Sequence, residues 1–415
     1  MDNLTEKNTE KYGKWEELIE SENINAPKIT DSHMKGVVYQ ILENTERELN
    51  EATVTGDIAQ YTPVLMSLIR RTMPTLVGNQ MVGVQAMTAP TGRIFAQHVY
   101  YGGTPTTGTE TWANGTVGKD TAIGAAPKAD HSGPYATATG EAKGWPSTDG
   151  TKYEEASWPE MSFAIDYIDV SVKTRALKGK LTTEVISDLK AVHGLDAEQE
   201  IANILQSEIT AEIDREIVNR IYSEAKAGAK NCSTAGTFDF SIDADGRWSM
   251  EKVQGLLIQI EREATLIAQE TRRGRGNFIL TSPEVAAWLS MANLITNIYG
   301  NTGFVSVVNP VGISYYGMLT NRFAVYVDPY MAAGENGTHN IIVGYKGTNA
   351  YDAGIFYCPY IPLQFFKAQG QEDFGLRLGI KSRYGLVSNP YYCAKGTTDA
   401  TAGTNSYYRK FAIKF

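Results

Sequence analysis

The sequence predicts an α+β protein with long projecting arms, and three features predict it. Leu205, Ile209, Ile213, Ile217 and Ile221 recur every four residues with charged residues between them, the pattern of one long amphipathic helix. Runs such as Phe163, Ile165, Ile168, Val170 and Val172 alternate apolar with polar residues and mark strands. Between the first strands lies 102–158, with ten Gly and eleven Thr and little hydrophobic periodicity. Such a stretch cannot bury itself and must lean on another surface.

The chain has 415 residues, 42% of them hydrophobic and 20% charged, enough for two or three compact units. No apolar run reaches the roughly 18 residues that a bilayer crossing needs, and the polar start does not read as an export signal, so no membrane is expected. Cys232, Cys358 and Cys393 are odd in number and widely spaced, which suggests neither a disulfide framework nor a metal knuckle. The net charge of −9 argues against a surface built to track phosphates. Residues 1–51 hold twelve acidic against six basic residues and so carry −6 of that charge.

Taken in order, residues 1–51 form an acidic leader whose apolar patches, Trp15, Leu18 and Ile19, or Val37, Val38, Ile41 and Leu42, are too short for a core, and they read as a loosely ordered tail. An arm follows over 52–82, with helical spacing at Val64, Leu65, Leu68 and Ile69 ended before Pro74. Residues 83–172 hold two strands, 94–101 and 163–172, that can pair around the 102–158 excursion. Residues 173–248 contain a helix over 182–192, a break at Gly194, and the long helix 196–225, capped by Asp196 and about 45 Å long at about 1.5 Å per residue. A third unit, 249–390, has a helix over 249–270 and strands at 278–280, 323–327, 341–343 and 353–357. Residues 391–415 end in Tyr408, Phe411, Ile413 and Phe415, alternating like a closing edge strand that returns to the 173–248 unit.

Residues that carry chemistry are sparse. His33, His98, His131, His193 and His339 never stand at the close spacing of helical metal ligands, and no cysteine has a nucleophile signature around it. Arg272, Arg273, Gly274, Arg275 and Gly276 suit an anion in principle, but the pattern lacks a phosphate-loop ending, and a turn pairing with acidic neighbours explains it better. Trp112, Trp145 and Trp158 could stack on sugars as in an adhesin; an intersubunit arm explains the same composition. No catalytic residue, cofactor or metal is expected. One pattern stands out: Leu or Ile, any residue, then Glu occurs at Leu4-Thr5-Glu6, Leu18-Ile19-Glu20, Ile41-Leu42-Glu43 and Leu49-Asn50-Glu51, and nowhere in the following 364 residues. A leader with cleavage sites produces that distribution.

Several collinear strings resemble the major capsid proteins of T-even-like tailed phages. They are Gly83-Val84-Gln85-Ala86-Met87 with Pro90-Thr91-Gly92-Arg93-Ile94-Phe95-Ala96, then Met161-Ser162-Phe163 with Ile165-Asp166, then 189–197 and Glu212-Ile213-Asp214-Arg215-Glu216. Gly274-Arg275-Gly276-Asn277-Phe278, Val343-Gly344-Tyr345-Lys346-Gly347, Asp352-Ala353-Gly354-Ile355 and Lys381-Ser382-Arg383-Tyr384-Gly385 continue the match. Ala86 departs from the Pro of many members, and the 102–158 excursion is shorter than in larger relatives.

The resemblance implies an α+β fold of the Hong Kong 97 type, with an N-terminal arm, an E-loop at the excursion, a peripheral domain built on the long spine helix, and an axial domain. It implies a virion protein, assembled in the host cytoplasm, that associates with itself into hexamers and neighbouring capsomers. Its other implied partners are a scaffold and a prohead protease during assembly, vertex, portal and decoration proteins, and packaged DNA contacted without sequence preference. The protease of this family cuts after Glu in such triplets, so Leu49, Asn50, Glu51 and Ala52 form the expected site, with Glu6, Glu20 and Glu43 as alternatives. The other readings are a paralogous pentameric vertex protein, a cellular shell compartment or an adhesin.

Overall fold

The computed structural model describes residues 32–51, 78–101, 109–110, 161–194, 196–244, 248–271, 273–292, 294–296, 313–331, 338–349, 351–370, 375–393 and 399–414, together with Trp15, Ile19 and Ile29. Helix α1 spans Ser32–Glu51. Strand β1 (Gly83–Val84) precedes a hairpin of β2 (Thr91–Tyr101), the short β3 (Thr109–Glu110) and β4 (Met161–Ser171). All eleven residues of β2 pair antiparallel with β4, from Thr91 opposite Ser171 to Tyr101 opposite Met161. The expected pairing around the excursion is therefore present; most of 102–158 lies outside the described residues.

Strand β5 (Lys173–Leu181) leads to a short helix at Thr183–Asp188, which ends through one turn of π-helix at Leu189–His193. Gly194 stops it with φ 64°, a left-handed conformation that costs glycine nothing. The chain then enters helix α2, Ala197–Glu224, 28 residues and about 42 Å long. Asp196 caps it by accepting from the Glu198 amide at 3.1 Å, and Glu198 and Glu200 sit at the positive end of its dipole.

After α2 come β6 (Ala225–Ala227), β7 (Thr237–Asp239), helix α3 (Ser249–Thr271), β8 (Phe278–Thr281), helix α4 (Pro283–Met291) and β9 (Ile295–Thr296). They are followed by β10 (Ser314–Leu319), β11 (Phe323–Val327), β12 (Thr338–Gly344), β13 (Ile355–Gln369), β14 (Leu376–Ser388) and β15 (Asn405–Lys414). Besides the hairpin there are two sheets, one ordered β1-β13-β14-β5 and the other β6-β15-β12-β8-β11-β10-β9 with β7 also on β15. Leu205, Ile209, Ile213, Ile217 and Ile221 of α2 are buried in one cluster with Tyr357, Leu363, Leu378, Ile380 and Tyr384 of the first sheet. Val253, Leu256, Ile260, Ala264 and Ile267 of α3 cover the second sheet at Ile279, Val343, Phe411 and Ile413. No described helix is long and apolar enough to cross a membrane.

Four expectations change. The leader was expected to be a loose tail, yet Val37, Val38, Ile41 and Leu42 of α1 are buried in the same cluster as the α2 stripe, along with Ile19 and Ile29. Four side chains cannot make a core alone, but they complete one that the rest of the chain supplies. The final strand was expected at an edge, yet β15 lies between β12 on one side and β6 and β7 on the other, because its residues are apolar or charge-paired on both faces. That strand joins the 249–390 sheet as well as parts of 173–248, rather than returning only to the latter.

The limit drawn at 390 also cuts across the sheets, since β13 and β14 pair with β1 and β5 and not with the strands of 278–344. Finally, the strand expected over 353–357 continues to Gln369. Pro359 reads as a stop, but the register shifts between Pro359 and Ile361, and such irregularities are where a strand tolerates a residue without an N–H. Strand β5 was not expected, because it holds three Lys and one Arg and only Leu177 and Leu181 as large apolar residues; in the structure the Lys side chains are exposed and alternate with half-buried Arg175, Leu177 and Gly179.

Replacing Ile217, a stripe residue 1% exposed, by Ala is expected to lower the unfolding free energy of the isolated subunit by about 2–5 kcal/mol. Chemical denaturation checks this, and a cost near zero would mean that the α2 stripe is not the core of the fold.

Candidate assembly and processing surfaces

The β2–β4 hairpin has two unlike faces. Ile94, Ile168 and Val170 point inward and are buried with Met87, Phe356 and Val387, which roots the hairpin on the first sheet. The alternate residues point outward, and Phe95, Ile165 and Tyr167 are 64%, 60% and 53% exposed. Arg93 lies 4.5 Å from the Tyr167 ring centre and pairs with Asp169 at 2.7 Å, so a charged rim edges the aromatic strip. Large apolar side chains grouped on one outer face with a polar rim are the composition of a protein contact surface.

The body that carries this arm is pinned by charge. Arg175 of β5 donates to Tyr384 of β14 and reaches Glu212 at 3.0 Å and Glu216 at 2.7 Å on α2. Arg215 of α2 reaches Asp328, just after β11, at 2.5 Å. Near the end of α2, Glu224 accepts from Arg220 at 2.5 Å, from Ser388, and from Asn405 at 3.3 Å. Arg409 of β15, 3% exposed, pairs with Glu263 at 3.1 Å and Glu270 at 2.5 Å on α3; Lys226 of β6 adds a contact to Glu270 at 2.9 Å. Burial works to raise the Glu270 carboxyl, but Arg409 and Lys226 outweigh it and hold the pKa below the usual value.

The residues considered for chemistry are placed as follows. Arg273 lies 3.7 Å from Asp352, and Arg275 pairs with Glu261 at 3.1 Å, so that loop pairs with acids as expected. Burial pushes the Cys358 and Cys393 thiols up to about 12, far from the reactive range. His33 donates through Nε2 to the Val84 carbonyl at 2.8 Å. His339 lies between Ser282 Oγ at 3.2 Å and Glu284 at 2.8 Å, the order of a hydrolytic triad. Ser282 is only 3% exposed, which closes that arrangement to a substrate. Sequence inspection missed this set, and no local motif marks it.

Of the processing residues, Glu51 is the last residue of α1, and Leu49 and Asn50 lie in its final turn. Glu43 is exposed in the middle of the same helix, flanked by the buried Leu42 and Asn44. Glu6, Glu20 and Ala52 lie outside the described residues.

A two-sheet body braced by one long helix and carrying a hairpin with an exposed aromatic face defines a protein that works through contacts with other protein, a shell-building subunit. Residues 58–413 match the family described as "Major capsid protein Gp23", and the chain belongs to that family. It is similar to the major capsid protein of Vibrio phage KVP40, 31% identical over 99% of each chain. Similarity to the capsid vertex protein of Enterobacteria phage T4 is 26% and covers 61% of this chain and 59% of that one. Among solved structures, the capsid of Myoviridae Phage XM1 aligns with TM-score 0.43 and 9% identity over 82% of this chain and 92% of that one. The chain is thus a phage capsid component and belongs to the virion. The α+β class is observed, and the paired hairpin and long helix expected of the Hong Kong 97 type are both among the described residues.

Because the folded Glu270 carboxyl titrates below its unfolded value of about 4.3, its network stabilises the fold above that pH. The contribution is lost as pH falls through the lower folded value. Glu270→Gln is expected to cost about 3 kcal/mol at neutral pH by stranding buried positive charge, and to flatten the fall of Tm below about pH 4. Thermal unfolding across pH checks both; an unchanged acid limb would assign the loss to other carboxylates.

Proposed function

We propose that this chain is the hexamer-forming major head protein of a tailed phage, made as a precursor whose leader is cut off after Glu51 by a prohead protease. The observation that carries the assembly half is the exposed face of Phe95, Ile165 and Tyr167 on an arm whose opposite face is anchored. Identical copies joined head to tail close into rings, and the rings tile an icosahedral or prolate shell around the DNA. Each contact need only be moderate, since every subunit engages several neighbours at once. A pentameric vertex role is the second reading; the shorter and weaker likeness to a vertex protein favours the first.

The cut is best placed at Glu51 for a mechanical reason. A protease binds several residues of extended chain, and helix ends open at little cost, whereas opening α1 around Glu43 would expose Leu42 and Asn44. Removal of 1–51 takes away −6 of the −9 net charge. That lowers repulsion toward packaged DNA without making a sequence-specific site. A scaffold, a portal, vertex and decoration proteins complete the expected set of partners.

Phe95→Asp combined with Tyr167→Glu is expected to leave the soluble subunit folded, with a Tm change under about 2 °C as for exposed sites, and to abolish particles when expressed with its scaffold. Electron microscopy reads the result, and normal particles from that variant would remove the hairpin face from the assembly contacts. Mass spectrometry of mature particles is expected to find a chain beginning at Ala52. Glu51→Gln should block that cut, while unchanged processing would move it to Glu43 or another triplet, and an intact Met1 would sink the precursor reading.

A further inference from the structure

Helix α1 does more than cover apolar surface, because three of its polar side chains reach one short piece of backbone. His33 Nε2 donates to the Val84 carbonyl at 2.8 Å. Asn44, 2% exposed, donates through Nδ2 to the Met87 carbonyl at 2.7 Å and to the Tyr360 carbonyl at 3.1 Å. Arg47 donates to the Thr88 carbonyl at 2.8 Å. Residues 84–88 are the lead-in to β2, and Tyr360 sits in β13 where its register shifts beside Pro359.

The same lead-in is tied to β13 by the Gln85 amide on the Tyr357 carbonyl at 2.9 Å and the Met87 amide on the Pro359 carbonyl at 3.0 Å. Asn44 therefore bridges both sides of the hairpin's root. Gln40 at 3.2 Å and Arg47 at 3.4 Å donate to its Oδ1 and fix the amide's orientation. Beside the root is a cavity of ≈ 170 Å³ lined in part by Gln85, Met87, Gly92, Arg93, Val170 and Cys358. The backbone beside it therefore borders open space on that side.

We propose that α1 is a brace that fixes the pitch of the β2–β4 hairpin while the precursor assembles, and that its departure frees the hairpin to shift against the neighbouring copy. The departure half rests on the leader being removed as proposed above; the brace does not. Cutting the bond after Glu51 breaks none of these hydrogen bonds, so release of the helix and not the cut itself changes the root. The leader thereby holds the assembly arm at one pitch while it is present.

Amide hydrogen exchange on the full-length chain tests the brace, comparing wild type with Asn44→Ala/Arg47→Ala. Peptides covering 85–101 and 161–172 are expected to exchange at least about tenfold faster, the size expected from losing the three hydrogen bonds that Asn44 and Arg47 make to the root, while 278–281 and 338–344 in the other sheet stay unchanged. An unchanged root overturns the proposal. If both regions accelerate, the double variant has loosened the whole fold, and Arg47→Ala alone decides, since its bond to Thr88 is at the surface: a local acceleration supports the brace and none overturns it. Mature particles that retain 1–51 would overturn removal of the leader while leaving the exchange result standing.

Discussion

The structure depends on α2, which meets both sheets. Its aliphatic stripe is buried in one cluster with Tyr357, Leu378 and Ile380 of the β13–β14–β5 sheet and with Leu280, Tyr326 and Ile342 of the other, and Arg215 reaches Asp328 beside that second sheet while Asn405 at the start of β15 donates to Glu224. Five fully buried aliphatic side chains contribute about 1.5–3 kcal/mol each, whereas partly exposed ion pairs such as Arg175–Glu212 contribute about 0–1. Burial therefore supplies the stability of the joint. The charges set the rotation and register at which the helix is held.

Strand β15 is the second constraint, because it brings Asn405 to the end of α2 and Arg409 to α3 within one strand. Arg409 with Glu263 and Glu270 is buried enough that removing one partner strands the others, at about 3–5 kcal/mol. A network of this kind is costly to rearrange, so α3, β6 and β15 move as one piece. For a shell subunit that rigidity matters, since errors in angle accumulate from copy to copy around a closed surface.

Against this stiff body the hairpin and the leader are built for contact. Period-two alternation gives β2 and β4 one face for anchoring and one for a partner. Helix α1 uses the same economy of faces, with Val38 and Ile41 turned to the core and Asn44 and Arg47 turned to the hairpin's root. Helix α1 is thus part of the folded subunit and lies against the root of the arm.

The sequence by itself determined the α+β class, the long helix with its Asp196 cap and Gly194 stop, the strand pair around the excursion and the Glu51 triplet, because periodicity, capping and short motifs are local properties. It also determined that the Arg273 and Arg275 loop pairs with acids, since free guanidinium groups beside acidic helices have few other partners. Tertiary structure alone decided that α1 is packed, that β15 is an interior strand, that β13 runs through Pro359, and that Asn44 joins Met87 to Tyr360, the latter 316 residues away from it in sequence. Each of these turns on what a residue meets from a distant part of the chain. A four-residue apolar patch reads as a loose tail until the surface that receives it is known.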